Sequence, residues 1–193
     1  METRLILLSM LCAAIPLAAQ ERTIPLSGVK NPVMTAHVNG KPAPLPDGAK
    51  VSAGKDGIRM DYVFASAGHD ACMVEFPVDQ GSFSALTVEL SVSGPGHRPF
   101  VVLTDKNGEK HYFSLVNTRN IAAQALKKAG KHTLSIPVPV RNEHPGEKFA
   151  FRWGGDDNQT IDFPVQSVRL GLNDSPDEFQ GTGWIVFHSI SFR

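Results

Sequence analysis

Tyr112 and Trp153 are the side chains of this sequence best suited to stacking against a sugar ring. Sugars present apolar ring faces to aromatic side chains, while their hydroxyl groups pair with charged and amide groups. Arg152, Asp156 and Asp157 lie close to Trp153 in the sequence and could supply such polar partners. These five residues form the predicted ligand-binding set.

The strand phase predicts different surroundings for the two rings. Tyr112 alternates with Ser114 on the polar side of its segment, which predicts an exposed ring. Trp153 shares its phase with Phe149 and Phe151, which predicts that it is partly buried in the core.

The Gly154-Gly155-Asp156-Asp157-Asn158 loop is also the candidate for a structural Ca²⁺ site, because Ca²⁺ takes about six to eight oxygen ligands. Its spacing is not that of an EF-hand. The acidic loop residues could instead form the carboxylate pair of a glycosidase, or simply make turns. They are Asp156, Asp157, Asp174, Asp177 and Glu178. The seven histidines are scattered singly, without a metal-ligand spacing from each other or from a cysteine.

Charge and composition narrow the class of protein. The chain has 193 residues, and its 19 basic and 19 acidic residues give a formal net charge of zero. Proteins that bind nucleic acid or anionic membrane surfaces need a basic excess, so both classes are disfavoured. Hydrophobic residues make up 41% of the chain, which suffices for a core. The 17 glycines and 14 prolines predict many short elements joined by turns.

Residues 1 to 19 have the features of a secretory signal peptide. A short head with Arg4 precedes an apolar stretch over residues 5 to 17, and Ala18-Ala19 forms a small-residue cleavage site. The apolar stretch is shorter than the roughly 20 residues that a membrane-spanning helix needs. We therefore expect cleavage after Ala19 and export of residues 20 to 193 to the periplasm or the extracellular space.

Cys72 would be the single cysteine left after this cleavage, because Cys12 lies in the predicted signal peptide. One cysteine cannot form an internal disulfide, so the hydrophobic core must stabilise the fold. Cys72 shares its phase with Val74 and Phe76, which favours a buried thiol over a nucleophile or an intermolecular bridge.

Period-two hydrophobicity indicates an all-β domain. The alternation runs through residues 57 to 64, 72 to 78 and 86 to 92, and strand patterns continue to residues 184 to 192. About nine to eleven strands predict a two-sheet antiparallel β-sandwich, or jelly roll, that spans residues 20 to 193 as one domain. The apolar last strand is expected in the middle of a sheet rather than at its edge.

Three segments have their own local signals. Residues 20 to 56 are expected to be rich in loops, and three prolines between residues 41 and 48 exclude a central strand there. Asp105-Lys106-Asn107-Gly108 predicts a hairpin turn. Residues 120 to 130 predict one short helix, because Asn120 is a candidate N-cap and Gly130 follows the last lysines.

Strand motifs in the C-terminal half follow a recognisable pattern. The motifs are Phe149-Ala150-Phe151-Arg152-Trp153-Gly154-Gly155, Ile161-Asp162-Phe163-Pro164-Val165-Gln166-Ser167-Val168-Arg169-Leu170-Gly171-Leu172 and Gly183-Trp184-Ile185-Val186-Phe187-His188-Ser189-Ile190-Ser191-Phe192. Residues 57 to 77 add an early strand pair with a Tyr-x-Phe pattern. Over residues 50 to 193 the chain resembles the galactose-binding-like β-sandwich domain. Such domains occur as carbohydrate-binding modules and as N-terminal, non-catalytic modules of secreted bacterial glycosidases.

The resemblance implies a jelly-roll sandwich that associates with a polysaccharide or another glycan, and it supplies no catalytic residues. In many relatives an Asp at the position of His188 helps to hold a structural Ca²⁺, so His188 argues against that site here. A hydrogen bond from His188 to a backbone carbonyl is the expected alternative.

Three functions stay open at the level of the sequence. The first is an exported carbohydrate-binding or glycan-associated accessory domain that is not an enzyme. The second is a structural or protein-interaction module with the same fold and no sugar site, since sandwiches host many unrelated functions. The third is a jelly-roll glycosidase or polysaccharide lyase, which the sequence favours least because it contains no clustered catalytic motif.

Overall fold

The structure is a computed structural model that describes most of the chain after residue 20. The described stretches are residues 21–66, 69–96, 98–116, 125–138, 150–158, 160–174 and 180–193. The predicted signal peptide lies outside them, so the division of the chain at Ala19 stays a prediction.

Alternating apolar and polar residues produce thirteen β-strands in the described stretches. The strands are β1 (Arg22–Pro25), β2 (Val33–Val38), β3 (Lys41–Ala43), β4 (Lys50–Gly54), β5 (Gly57–Phe64), β6 (Ala71–Gln80), β7 (Ala85–Val92), β8 (Arg98–Thr104), β9 (Lys110–Ser114), β10 (Gly130–Pro137), β11 (Ala150–Trp153), β12 (Val165–Asn173) and β13 (Gly181–Phe192). A 3₁₀-helix, Leu26–Gly28, follows β1.

The strands form two antiparallel sheets. The six-stranded sheet has the order β10-β7-β13-β5-β4, with β1 also paired to β13, and the seven-stranded sheet has the order β11-β9-β8-β12-β6-β2-β3. Residues from the inner faces of both sheets share one hydrophobic core, among them Tyr62 and Phe187 from the first sheet and Val74 and Leu170 from the second. The predicted two-sheet antiparallel β-sandwich is therefore confirmed.

The last strand, β13, lies in the middle of the six-stranded sheet, as its apolar sequence predicted. It pairs with β5 on one side and β7 on the other. His188 lies where the ladder to β7 shifts register. Its Nδ1 donates a hydrogen bond to the backbone carbonyl of Asp56 at 2.6 Å, and its Nε2 accepts one from the hydroxyl of Ser91 at 2.8 Å. The expected bond to a backbone carbonyl is therefore present, on a half-buried ring.

The region predicted to be rich in loops contains four of the strands, β1 to β4. These strands are three to six residues long. β3 and β4 are edge strands. Pro42 lies in β3, where its missing N–H interrupts no central ladder. The prolines therefore excluded a central strand, as predicted, but they did not exclude an edge strand.

The prediction of a helix over residues 120 to 130 is wrong where it can be compared with the structure. Residues 120 to 124 lie outside the described stretches, residues 125 to 129 are not helical, and Gly130 begins β10. Leu126 is buried, and its carbonyl accepts a hydrogen bond from the N–H of Gly96 at 3.0 Å. Tertiary contacts thus override the helix propensity of this segment. Among the described residues there is no helix of the length and hydropathy that would span a membrane.

Cys72 is in the core, as its strand phase predicted. It is 2% exposed, and its backbone neighbours are Ala36 on β2 and Leu172 on β12. Burial raises the pKa of the Cys72 thiol, because a thiolate would lose its hydration there.

The Cys72 thiol should therefore be protected from modification in the folded protein. With Cys12→Ser as the background, so that one thiol remains, we expect a disulfide reagent to react at least ~100-fold more slowly in buffer than in concentrated denaturant, because reaction requires local opening. Absorbance of the released thiolate gives both rates. Equal rates in the two solvents would contradict the burial of Cys72.

Candidate functional site

The outer face of the seven-stranded sheet, which is the side turned away from the core, has its own apolar cluster. Met73, Phe100, Val102 and Tyr112 are its buried members. Each alternates along its strand with residues that enter the core, as Tyr112 does with Phe113. Antiparallel pairing therefore brings side chains from three strands, β6, β8 and β9, onto one surface.

Four aromatic rings form a continuous ladder on this surface. Phe100 contacts Tyr112 with ring centroids 5.1 Å apart, Tyr112 stacks on Phe151 at 4.3 Å, and Phe151 stacks on Trp153 at 5.5 Å. Tyr112 and Phe151 are direct cross-strand partners in the ladder between β9 and β11. We call Phe100, Tyr112, Phe151 and Trp153 the aromatic ladder.

The aromatic ladder is buried at one end and exposed at the other. Phe100 and Tyr112 are 4% and 5% exposed, whereas Phe151 and Trp153 are 51% and 41% exposed. An exposed ring that rests on a buried ring keeps a fixed orientation while part of its surface stays accessible to a ligand. The outer end of the ladder, on edge strand β11, is thus a preformed stacking surface.

Gly171 on β12 makes room for the inner end of the aromatic ladder. A Cβ atom at this position would lie 2.2 Å from Cζ of Phe100 and 2.7 Å from both of its Cε atoms. Only a residue without a side chain allows the Phe100 ring to lie flat over β12.

Polar side chains continue the same surface beyond the aromatic ladder. Arg169 donates two hydrogen bonds to Oε2 of Glu75, at 2.6 and 3.2 Å, and Ser167 donates one to Oε1 at 2.6 Å. Although partial burial alone would raise the pKa of Glu75, these hydrogen bonds and the positive charges of Arg169 and Lys110 lower it below its ordinary value. Glu75 is therefore an ionised hydrogen-bond acceptor at neutral pH.

A second polar group borders the aromatic ladder at Tyr112. The side-chain amide of Asn173 donates to the phenol oxygen of Tyr112 at 3.4 Å, and Nε of Arg98 donates to the amide oxygen of Asn173 at 3.0 Å. Burial is the main cause that raises the pKa of the Tyr112 phenol. The surface therefore combines stacking rings with fixed donors and acceptors.

The exposure predicted for Tyr112 is wrong. Its strand phase does place it on the outer face, but Phe151 from β11 covers its ring. Trp153 is less buried than its phase with Phe151 predicted, because that phase faces outward and not into the core. Phe151, whose phase was the reason to expect Trp153 in the core, has the largest exposed fraction in the ladder.

The three polar residues of the predicted set lie away from the aromatic ladder. Arg152 alternates with Phe151 and Trp153 and so leaves β11 on the opposite side. Its Nε lies 3.7 Å from Oδ1 of Asp157, whose side chain is exposed. Asp156 is also exposed, and it accepts hydrogen bonds from the side-chain amides of Asn107 at 3.0 Å and Asn158 at 2.9 Å. The structure thus divides the predicted set between two places.

Arg152 also contacts a group of buried ionisable residues at the β8–β9 hairpin. This group, Asp105, Glu109 and His111, is called the buried triad. Nε2 of His111 lies 3.3 Å from Oδ2 of Asp105 and 3.7 Å from Oε2 of Glu109. Nε of Arg152 lies 3.5 Å from Oε1 of Glu109. The hairpin turn itself is confirmed, with the N–H of Gly108 donating to the carbonyl of Asp105 at 3.1 Å.

The buried triad and the inner part of the aromatic ladder were not predicted from the sequence. One feature of the sequence could have indicated the triad: Glu109 and His111 share a strand phase directly after a hairpin turn that begins at Asp105. The spacings between histidines and cysteines do not reveal the triad, because it contains one histidine and two carboxylates. Phe100 left no comparable signal, because its position depends on Gly171 from a distant strand.

A groove on the outer face of the six-stranded sheet is a second surface with an aromatic residue. It is lined by Lys50, Arg59, Asp61 and Trp184 among others. The guanidinium carbon of Arg59 lies 4.8 Å from the centre of the Trp184 ring, and Arg59 pairs with Asp61 at 2.7 Å. One face of Trp184 is therefore occupied by a charged side chain, whereas Phe151 and Trp153 pack against other aromatic rings.

Neither a protein-family model nor a curated protein matches this chain. Solved structures do match its fold. One is a family 11 carbohydrate-binding module from Clostridium thermocellum, solved in complex with a β-1,3-1,4-mixed-linked tetrasaccharide. It is 17% identical to this chain with a TM-score of 0.54, and the match covers 89% of this chain and 94% of that chain. The family 11 module of a cellulosomal cellulase from Clostridium thermocellum is 14% identical with a TM-score of 0.52, covering 91% of this chain and 95% of that chain. The chain therefore has the galactose-binding-like jelly-roll fold that its sequence motifs implied.

Gly171→Ala should displace Phe100 and loosen the aromatic ladder. We expect a loss of about 1–3 kcal/mol in the free energy of unfolding, as for other overpacked sites. Denaturant unfolding measures the loss, and near-ultraviolet circular dichroism reports the altered aromatic packing. Gly54→Ala is the matched control, because it also changes a strand glycine but a Cβ there meets no atom within 4 Å. An unfolding free energy and an aromatic spectrum that change no more than in the control would contradict this role of Gly171.

Proposed function

We propose that this chain is an exported, non-catalytic domain that binds a polysaccharide on the outer face of its seven-stranded sheet. The exposed, ring-supported pair Phe151 and Trp153 is the observation that carries the proposal. The predicted glycan-binding function is retained, while the surface assigned to it changes. Tyr112 now supports the stacking surface from below, and Arg152, Asp156 and Asp157 are left out of it.

The geometry favours an extended chain of sugars. Phe151 and Trp153 lie two residues apart on one face of β11, with their ring planes inclined by 30°. Two such rings offer successive stacking positions to neighbouring sugar units. A row of cross-strand partners then leads from Phe151 through Tyr112, Val102 and Arg169 to Glu75. Hydroxyl groups of the sugar could pair with Arg169 and Glu75, which are fixed donors and acceptors at the far end of this row.

The position of the carboxylates supports binding without cleavage. Hydrolysis of a glycosidic bond generally uses two carboxyl groups that flank the bond. On the proposed surface Glu75 is held by Arg169 and Ser167. Asp105 and Glu109 are fully buried, so a polymer chain cannot reach them.

Mixed-linked β-1,3-1,4-glucan is the first ligand to test, because a structural neighbour was solved with a tetrasaccharide of that linkage. In affinity gel electrophoresis we expect this or another soluble polysaccharide to retard the parent protein. Phe151→Ala and Trp153→Ala should each weaken binding by at least about tenfold, or ~1.4 kcal/mol, as for central aromatic contacts in other interfaces. Their unfolding midpoints should fall by less than after truncation of a core ring such as Phe187, because about half of each side chain is exposed.

Trp184→Ala is the matched control, since it removes a tryptophan from the outer face of the other sheet. It should leave retardation unchanged. A loss of binding with Trp184→Ala alone would move the site to the groove beside Arg59. Release of reducing ends or unsaturated products by the parent would contradict the non-catalytic part. A parent that no polysaccharide retards would refute glycan binding and favour the protein-interaction alternative.

Export is the remaining part of the proposal, and it rests on the apolar stretch before Ala18-Ala19. Mass spectrometry of the secreted or periplasmic protein should find Gln20 at its N-terminus. Ala19→Pro should block processing at this position and provides the control. Secreted protein that still begins with Met1 would contradict the signal peptide.

A further inference from the structure

We propose that the buried triad of Asp105, Glu109 and His111 is a binding site for a transition-metal dication of the Zn²⁺ class. This inference does not depend on the proposed glycan-binding function. It rests on the donor geometry of the triad, on a buried carboxylate without a hydrogen bond, and on the local charge.

The three side chains present their donor atoms to one point. One donor atom from each residue can be chosen so that all lie within 4.8 Å of one another, and all three residues are buried. Nε2 of His111 is 3.3 Å from Oδ2 of Asp105 and 3.7 Å from Oε2 of Glu109. Ligand atoms about 2.0–2.1 Å from a tetrahedral ion lie roughly 3.4 Å apart, so small side-chain movements would bring these three atoms to the spacing of three of its four ligands.

Glu109 is the residue that most requires a ligand. Its side chain has no exposed surface, and within the described residues neither of its carboxylate oxygens has a hydrogen-bond partner. Its nearest cation is Arg152, whose Nε lies 3.5 Å from Oε1 while also approaching Asp157. A buried carboxylate without hydrogen bonds is costly, and a metal ion at Oε2 would remove that cost.

The charge around the buried triad also favours a cation. Five carboxylates lie in or next to it within the described stretches, namely Asp105, Glu109, Asp156, Asp157 and Asp162. Two basic side chains, Lys106 and Arg152, contact this group. The five carboxylates and the two cations leave an excess of three negative charges among these residues.

The hairpin holds Asp105 ready to coordinate. Its Oδ1 accepts hydrogen bonds from the N–H groups of Asn107 at 2.9 Å and Glu109 at 3.0 Å. Its Oδ2, which faces His111, accepts one bond from the N–H of Asp162 at 3.2 Å and one from Nε2 of His111 at 3.3 Å. One oxygen is thus used to fix the turn, and the other pairs with the imidazole nitrogen, so Zn²⁺ would replace the Nε2 proton between these two ligand atoms.

The imidazole selects the class of metal. Ca²⁺ and Mg²⁺ bind oxygen ligands, whereas imidazole nitrogen suits Zn²⁺ and its neighbours in the first transition row. The predicted Ca²⁺ site in the Gly154–Asn158 loop is therefore a different hypothesis, with exposed ligands. That loop does pack over the hairpin, because a Cβ on Gly155 would lie 2.4 Å from the backbone nitrogen of Glu109.

Calorimetric titration of the chelator-treated full chain with Zn²⁺ tests the site. We expect one Zn²⁺ per chain and a higher melting temperature with Zn²⁺ than without it. Co²⁺ in place of Zn²⁺ should give the visible absorption of a tetrahedral site. Glu109→Gln keeps the shape of the side chain and removes its charge. It should weaken Zn²⁺ binding at least about 100-fold, which is the upper range for losing even an indirect metal contact.

Glu109→Gln should also change the stability of the metal-free protein. Glu109→Gln should melt at a higher temperature than the metal-free parent, because it removes a buried charge without hydrogen bonds. Glu89→Gln is the control, because it removes a partly exposed carboxylate on the six-stranded sheet, away from the triad, and should bind Zn²⁺ like the parent. If Glu109→Gln does not fold, His111→Gln replaces it in the titration.

Three results would overturn the inference. The first is the absence of saturable Zn²⁺ binding. The second is Zn²⁺ binding that survives both Glu109→Gln and His111→Gln, because the ion would then lie elsewhere. The third is that Ca²⁺ stabilises the protein while Zn²⁺ does not, and that Asp157→Asn abolishes this effect of Ca²⁺. This result would place an oxygen-ligated ion in the exposed loop.

Discussion

The ring of Phe100 lies flat on the backbone of β12 at Gly171, and the aromatic ladder is built outward from that contact. Tyr112 packs against Phe100, Phe151 stacks on Tyr112, and Trp153 stacks on Phe151. A side chain at Gly171 would lift Phe100 and, with it, each ring that rests on the next. The orientation of the two exposed rings therefore depends on a close approach in the middle of the sheet.

Edge strand β11 connects this surface with the buried triad. Phe151 and Trp153 leave the strand on its outer side, and Arg152 leaves it on the other side toward Glu109. A metal ion in the triad would tie the β8–β9 hairpin together next to β11, a short strand that pairs with β9 alone among the described strands. Edge strands of this length are weakly held by their ladder alone. The proposed metal site would thus help to keep the proposed stacking surface in place.

The sequence predicted the features that depend on local periodicity. Alternation predicted the sandwich, the central position of β13 and the buried thiol of Cys72, because each follows from which face of a strand is apolar. Tyr112 was placed on the correct face, but its exposure was wrong because the ring that covers it comes from another strand. The helix prediction failed because propensity does not include the burial of Leu126. The buried triad was missed because a hairpin brings together residues whose spacing matches no metal motif.

Tryptophan fluorescence tests the position of the glycan site most directly, because the two tryptophans of the chain lie on the outer faces of different sheets. Trp184→Phe leaves Trp153 as the reporter, and Trp153→Phe leaves Trp184. During titration with a polysaccharide that retards the parent, the emission of Trp153 should shift and its quenching by acrylamide should fall, while Trp184 stays unchanged. An unchanged Trp153 signal at saturating polysaccharide would contradict a binding site on the aromatic ladder.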